Sequence, residues 1–170
     1  MSPLDDVTIR VAQHLDLDHL AELAGSGDRA EVRVRAAGRG EEEMLVAVAA
    51  DHVVGVVSVR WRGGCDTPHP WLYGLAVVAS ARRRGIGRAL VRAGEAAGAA
   101  RGAEAMSLDV DVDDEAAVSF YARLGYVIVR PHQHHWRAID PRTGAVTGEG
   151  TASTWIMRRQ LRSADRSGAG

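Results

Sequence analysis

Apolar and polar positions follow two different periods along the first half of the chain. Val7–Val11 alternates with the two-residue period of a strand, and the apolar residues at positions 15 to 24 favour one side of a helix. Segment 25–43 is polar and rich in glycine, so we expect a loop or a weak helix that is too polar to form core. The two β-branched runs Met44–Ala49 and Val53–Trp61 are separated by a short connection, which predicts a hairpin.

The pattern continues with a strand, a helix, a strand and a helix. Trp71–Val78 is almost continuously apolar, which is typical of a central strand. After a glycine turn, one apolar helix face is predicted from Ile86, Ala89, Leu90, Ala93, Ala97 and Ala100. Ala105–Val112 again has the pattern of a strand. Asp114 is a good N-cap for the helix that follows, and Gly125 is well placed to end that helix.

The last two predicted strands are Tyr126–Arg130 and Thr151–Leu161, and the histidine-, proline- and glycine-rich segment between them is predicted as a long loop. Residues 1–162 are expected to form a single domain, and residues 163–170 a disordered tail. The order of elements, β-α-(α)-β-β-β-α-β-α-β-β, predicts an α/β (α+β) fold around one central mixed sheet.

Composition and charge narrow the function mainly by exclusion. The 21 basic and 22 acidic residues give a net charge of −1, which does not favour a nucleic-acid binder. Cys65 is the only cysteine, so no internal disulfide can form, and a reducing compartment is expected. The N-terminus has no basic segment followed by an apolar one, and no apolar run reaches the length of a membrane span. We therefore expect a cytoplasmic protein with neither nucleic-acid nor membrane partners.

The strongest chemical signal is the segment ARRRGIGR at residues 81–88, where a predicted strand gives way to a predicted helix. The backbone N–H groups at a helix N-terminus form an anion site, and glycine lets a ligand approach the backbone closely. A dinucleotide-binding G-x-G-x-x-G motif would need glycine where Leu90 stands, and a P-loop would need a lysine, which the chain lacks. The alternative is that Gly85 and Gly87 merely turn the chain into the helix.

Two motifs resemble the GNAT superfamily of N-acetyltransferases. The first is similar to the family's acyl-CoA-binding motif and consists of Arg82-x-x-Gly85-x-Gly87 after the segment Leu75–Val77. The second follows the family's downstream pattern with Asp114, Ala117, Tyr121, Gly125 and Tyr126, although the family usually has asparagine where Asp114 stands. The resemblance covers residues 7–161 and implies a GNAT-type single domain. Its mixed, mostly antiparallel sheet would have six to seven strands, flanked by about four helices.

The resemblance implies acetyl-CoA as cosubstrate and no metal. The pyrophosphate would lie on the backbone amides of residues 83–88, and the thioester carbonyl on the backbone N–H of Val77. The residues expected to contact the cosubstrate are Leu75, Ala76, Val77, Arg82, Arg83, Arg84, Gly85, Ile86, Gly87, Arg88, Asp114, Ala117 and Tyr121.

Acetyl transfer to an amine has two requirements: a group that donates a proton to the leaving thiolate, and an amine that is neutral when it attacks. The resemblance implies that Tyr121 is the proton donor. Some relatives carry a glutamate base on the fourth strand, where this chain has Gly74. The alternatives for the base are Asp109, Asp111, Asp113, His69, the cluster His132, His134 and His135, or proton loss to water without a dedicated base. The histidine cluster lacks partners at convincing spacing for zinc, and its role stays open.

The acceptor is expected to be the primary amine of a small cationic molecule, acetylated directly in a ternary complex. The family builds its acceptor mouth from segments that correspond to 25–43 and 131–150, and the acidic candidates near it are Glu41, Glu42, Glu43, Asp109, Asp111 and Asp113. A solvated acidic surface would explain the same residues. The alternatives are a protein or peptide amine, an aminoglycoside, or a catalytically weak acyl-CoA-binding module. A homodimer is also among the expected partners.

Overall fold

The computed structural model describes residues 6–23, 27–140 and 142–161. The strands are β1 (Thr8–Val11), β2 (Glu42–Ala49), β3 (His52–Arg60), β4 (Trp71–Val77), β5 (Ala105–Asp111), β6 (Val127–Ile139) and β7 (Val146–Gln160). The α-helices are α1 (Leu17–Leu23), α2 (Gly27–Gly38), α3 (Ile86–Ala100) and α4 (Glu115–Arg123). Short 3₁₀ turns occur at His14–Asp16 and Ala79–Ala81. None of the described helices is long and apolar enough to cross a membrane.

The strands form one mixed sheet in the order β1-β2-β3-β4-β5-β7-β6. Strands β1 to β4 pair antiparallel, β5 runs parallel to β4 where Ser107 lies opposite Trp71, and β6 pairs antiparallel with β7. The α/β fold class and the mostly antiparallel sheet are therefore confirmed, and β4 is central as predicted.

The chain divides into two compact units, residues 1–107 with 160–170 and residues 108–159. The prediction of a single domain stays a prediction, and the predicted disordered tail at 163–170 lies outside the described residues.

The predicted hairpin of the first unit is confirmed as β2 and β3. Its two turn residues, Ala50 and Asp51, have positive φ angles of 46° and 64°, the combination found in the tight turns that suit twisted antiparallel strands. Helices α1 and α2 cover a core that contains Leu20, Met44 and Val56.

Segment 25–43 was expected to stay out of the core, and that expectation is wrong. Most of it forms α2, in which Ala30 is fully buried and Val34 and Ala37 pack against the core. These positions are spaced by four and three residues and lie on one helix face. The face is made mainly of alanine, so its helical period was hidden behind the more numerous polar residues.

Helix α3 begins and ends close to the predicted positions, but its predicted buried face is partly wrong. Ile86 and Leu90 are buried as expected, whereas the inward face continues through Gly94 and Gly98 instead of the predicted alanines. A Cβ on Gly94 would lie 3.1 Å from Val59 Cγ2. The helix therefore packs so closely on the sheet that a side chain at this position would have to displace Val59 or Leu72.

In the second unit, the predicted long loop between the last two strands is wrong. Strand β6 runs on to Ile139 and β7 starts already at Val146, and the two strands pair antiparallel over this length. The loop-like glycines have a packing role: a Cβ on Gly150 would lie 3.0 Å from the Trp136 indole, and one on Gly148 would lie 3.5 Å from it. Glycine thus makes room for a large cross-strand side chain here.

Candidate functional site

Strand β4 carries a bulge near its C-terminal end. On β3 and β4, Val56 lies opposite Ala76 and Ser58 opposite Tyr73, so two residues of β4, Gly74 and Leu75, oppose one residue of β3. Gly74 has φ +64°, a left-handed conformation that favours glycine. Gly74 is exposed and the predicted contact residues at 75–77 are partly exposed, so the end of β4 is open to solvent.

Helix α3 begins directly after the predicted glycine turn. Gly85 has φ +82° and its carbonyl accepts the first helical hydrogen bond, from Ala89 N–H at 2.9 Å. No described side chain caps this helix, and its first turn contains no acidic residue. The amides of Ile86, Gly87 and Arg88 precede that first bond, so they lack partners within the helix.

The arginines around this turn are exposed and have different partners. Arg82 Nε donates to the Val77 carbonyl at 3.0 Å, which ties the turn to the end of β4. Arg83 has φ +63°, and Arg84 and Arg88 are also exposed. Within the described chain, the side chains of Arg83 and Arg88 make no hydrogen bond or ion pair. The structure therefore brings open amides and available guanidinium groups together at the helix start.

The second unit places the other predicted residues around α4. Asp114 Oδ1 accepts a hydrogen bond from Ala117 N–H at 2.9 Å, so the predicted N-cap is confirmed. Gly125 ends the helix with φ +95°, also as predicted. Because Asp114 and Ala117 satisfy each other, their expected contact with acetyl-CoA stays a prediction with no added support from this geometry.

Tyr121 is partly buried between two aromatic rings. The Phe120 ring centroid lies 5.0 Å from that of Tyr121, and the Tyr126 centroid lies 5.7 Å from it, both edge to face. Burial, together with the negative charge of Asp109, raises the pKa of Tyr121 above its usual range. The phenol is therefore protonated at neutral pH, as a proton donor must be.

The base candidates occupy different environments. Asp109 is partly buried on β5, whereas Asp111 Oδ1 accepts a hydrogen bond from Asp113 N–H at 2.9 Å in the turn after the strand. His69 precedes β4, and Val77 is the last residue of that strand. The length of β4, about 20 Å at roughly 3.3 Å per residue, therefore separates His69 from Val77. This separation argues against His69 as a base for chemistry near Val77.

The three histidines predicted on a loop lie on strand β6 instead. The rings of His132 and His134 stack with centroids 6.0 Å apart, and His135 Nδ1 lies 3.0 Å from Thr151 Oγ1. The described part of the chain contains no group of three or more side chains arranged to hold a metal ion.

The three glutamates expected to form an acidic mouth are each paired with an arginine. Glu41 accepts from Arg39 at 2.7 Å, Glu42 lies 2.9 Å from Arg60 Nε, and Glu43 lies 4.0 Å from Arg101. Their charges are thus largely neutralised within the first unit, and they give no support to a cationic acceptor.

Sequence reasoning missed a cluster of polar side chains under α2, which we call the β2–β4 polar cluster. Arg33 donates to Ser58 Oγ from Nε at 3.0 Å and from Nη2 at 2.7 Å, and the Tyr73 hydroxyl donates to the buried Glu42. Arg33 and Arg60 each lie about 5 Å from the Tyr73 ring centre. The signal in the sequence was the alternation that places Glu42, Ser58, Arg60 and Tyr73 on one sheet face.

Comparison with solved structures shows the same fold in many acetyltransferases. The ribosomal-protein-S18-alanine N-acetyltransferase from Escherichia coli is 17% identical, with a TM-score of 0.69 over 97% of this chain and 100% of that one. An N-acetyltransferase from Staphylococcus aureus Mu50 is 16% identical, with a TM-score of 0.71 over 93% of this chain and 100% of that one. The Salmonella typhimurium protein yncA, solved with its cofactor acetyl-CoA, is 17% identical, with a TM-score of 0.69 over 96% and 99% of the two chains.

No curated protein is significantly similar to the chain in sequence. Residues 11–126, which include β4, the glycine turn, α3 and α4, match the acetyltransferase (GNAT) family. The sequence resemblance is thereby confirmed, and the chain belongs to the GNAT family of acetyltransferases.

Proposed function

We propose that the protein is an acetyl-CoA-dependent N-acetyltransferase that binds the pyrophosphate of its cosubstrate at the start of α3. The observation that carries this proposal is the uncapped helix start at Gly85–Arg88 with exposed arginines beside it. Open amides and guanidinium groups both bind phosphate oxygens strongly. A polyanionic cosubstrate supplies the negative charge that the first turn of α3 lacks.

The proposed reaction is direct transfer within a ternary complex. The neutral amine nitrogen attacks the thioester carbonyl carbon, a C–N bond forms, and the C–S bond breaks. The thiolate of coenzyme A takes a proton, and the new amide nitrogen loses one. Tyr121 is the proposed donor to the thiolate, supported by its motif position and by the raised pKa that keeps it protonated. The backbone N–H of Val77 is the proposed partner of the carbonyl oxygen.

For the proton lost by the amine, we propose Asp109 in preference to Asp111. Asp109 is partly buried and its charge acts on Tyr121, whereas Asp111 already holds the turn before α4 through its bond to Asp113 N–H. Transfer to water without a dedicated base is the competing route, since position 74 carries no side chain.

The proposed acceptor is the primary amine of a small molecule. A purely cationic acceptor now draws support only from Asp109, Asp111 and Asp113, because the glutamates at 41–43 are paired with arginines. A peptide amine and an aminoglycoside are therefore alternative outcomes of the test below. We further propose a cytoplasmic location, supported by the single cysteine, Cys65, because a chain that cannot form an internal disulfide suits a reducing compartment.

The test is incubation of the folded protein with acetyl-CoA and a panel of amines, with acetylated products detected by mass spectrometry. The panel contains amino acids, polyamines, aminoglycosides and short peptides, and reactions with free coenzyme A serve as controls. We expect acetylation of at least one small amine. Binding of acetyl-CoA without acetylation of any amine would instead support a catalytically weak binding module, and the absence of binding would contradict the proposal altogether.

A further inference from the structure

The β2–β4 polar cluster contains one more positive charge than negative charge. Glu42 is its only carboxylate among the described residues, and it is already bonded to Arg60 and to the Tyr73 hydroxyl. Burial and the nearby carboxylate raise the pKa of Tyr73, so this phenol stays neutral. Arg33 is consequently the charge in excess.

Arg33 has no acidic partner at salt-bridge distance. Within the described chain no carboxylate lies within 4.0 Å of its guanidinium, and its hydrogen bonds go to the neutral hydroxyl of Ser58. Burial lowers the pKa of Arg33, which shows that the group has lost part of its hydration. The one carboxylate that acts on Arg33 is Glu42, which is already bonded to Arg60 and to Tyr73. A partly desolvated charge that shares its counter-charge in this way is incompletely compensated until a further anion pairs with it.

The guanidinium lies against the bulge of β4. A Cβ built on Gly74 would come within 2.7 Å of Arg33 Nη2 and 2.9 Å of Nη1. A side chain at position 74 would therefore displace the Arg33 guanidinium from its place against β4. Because Gly74 is exposed and Arg33 is only partly buried, a small molecule can approach this place from solvent.

We infer that Arg33 binds a carboxylate of the acceptor, which makes the acceptor class an amine that also bears a carboxylate, such as an α-amino acid. This inference rests on the proposed function, since it places the acceptor beside the β4 residues expected to hold the thioester. Arg33 gives Nε and one Nη2 hydrogen to Ser58, which leaves the Nη1 hydrogens and the second Nη2 hydrogen as donors. A carboxylate can accept two parallel hydrogen bonds from this edge of the planar guanidinium, which fixes the orientation of the molecule that carries it. The carboxylate supplies the missing negative charge, and the amine of the same molecule is delivered next to Leu75–Val77.

The first arm of the test measures binding without turnover. N-acetylated amino acids and their matched carboxamides are titrated calorimetrically into the protein in the presence of coenzyme A. The probes include N-acetyl-leucine with N-acetyl-leucinamide and N-acetylglycine with N-acetylglycinamide. We expect at least one acid to bind ten times more tightly than its amide, and we expect Arg33→Gln to abolish that difference.

The second arm compares turnover of free amino acids with that of their decarboxylated amines. Arg33→Gln should raise the KM of the amino acid at least tenfold and leave the KM values of acetyl-CoA and of the decarboxylated amine unchanged. Arg33→Lys keeps the charge without the planar fork, and it should recover only part of the preference. Arg35→Gln is the matched control, since Arg35 lies on the same helix and pairs at the surface with Glu31. Thermal melting of each variant shows whether α2 still packs.

The outcomes separate the two proposals. Equal binding of every acid and its amide by the wild-type protein, or an unchanged preference in Arg33→Gln, overturns the role of Arg33. Acetylation of amines without any preference for a carboxylate overturns the acceptor class and leaves the proposed function standing. Carboxylate-selective binding without acetylation of any amine contradicts the proposed function and not the role of Arg33.

Discussion

The N-termini of α3 and α4 differ in what satisfies their first amides. Helix α4 is capped by the Asp114 side chain and has Glu115 in its first turn, so its amides and its dipole meet negative charge from its own sequence. Helix α3 has no capping side chain and no acid in its first turn, and Arg88 stands there instead. A positive residue at a helix N-terminus is unfavourable for the helix itself.

The difference supports different purposes for the two motifs, although both were expected to contact the cosubstrate. The start of α4 is capped by its own sequence, and the contribution we propose for this helix is Tyr121 in the next turns. The first amides of α3 have no partner within the helix and no side-chain cap. We therefore propose that α3 alone binds the phosphates and that α4 acts on the reacting groups.

The largest effect is expected from Tyr121→Phe. Loss of the proposed proton donor should lower kcat roughly 100-fold, while the affinity for acetyl-CoA should change little because we place the phosphates at α3 and not at α4. Steady-state kinetics and a calorimetric titration measure the two quantities. Tyr126→Phe is the matched control, since it removes a hydroxyl from the neighbouring ring in the same unit. An unchanged kcat, with chemistry rate-limiting, would assign Tyr121 to packing alone.

The next effect concerns the start of α3. Arg88→Glu should weaken acetyl-CoA binding by about 30-fold, the equivalent of one charge-assisted contact of roughly 2 kcal/mol. The same substitution should leave the melting temperature unchanged or raise it. An acidic residue near a helix N-terminus stabilises the helix by about 0.3–1 kcal/mol through its interaction with the helix dipole. Arg62→Glu makes the same change of charge on an exposed loop and should affect neither quantity. A parallel loss of stability and affinity would mean that Arg88 supports the fold instead of the ligand.

At the start of α4 the opposite result is expected. Asp114→Ala should lower the free energy of unfolding by about 1 kcal/mol, since the Ala117 amide loses its cap. The affinity for acetyl-CoA should stay within a factor of two of the wild type, as an order-of-magnitude expectation for a group that makes no phosphate contact. Chemical denaturation and calorimetry provide the two measurements. A large loss of affinity with unchanged stability would indicate that Asp114 contacts acetyl-CoA, as the sequence resemblance implied.

The smallest effect is on the titration of Tyr121. Asp109→Asn removes a negative charge that opposes ionisation, so the pKa of Tyr121 should fall. Burial is the larger cause of the shift and remains, so the pKa should stay above the ordinary tyrosine range. Ultraviolet titration of the phenols, with Tyr121→Phe used to identify the signal, follows this change. An unaltered titration curve would show that Asp109 does not act on Tyr121.

The sequence predicted those parts of the fold where one local signal dominates. The hairpin of β2 and β3, the cap at Asp114 and the glycine turn before α3 depend on neighbouring residues, and all were predicted. Helix α2 was missed because its buried face is mainly alanine. The β6–β7 hairpin was missed because Gly148 and Gly150 are typical of loops, and their role, which is to leave room for the Trp136 indole on the paired strand, is visible only in the structure. The β2–β4 polar cluster brings together α2 and three strands. Alternation places its strand residues on one sheet face, but no local pattern predicts that Arg33 of α2 lies against them.

Calorimetric titration of acetyl-CoA into folded wild-type protein at low and high salt measures whether the start of α3 binds the phosphates. We expect one binding site with a sub-millimolar Kd that weakens as salt rises, because we assign the phosphate charge to exposed arginines and open amides at the start of α3. We also expect Arg88→Glu to reduce this dependence on salt. The absence of binding at sub-millimolar acetyl-CoA would contradict a phosphate site at the start of α3. A Kd that changes neither with salt nor with Arg88→Glu would also contradict it.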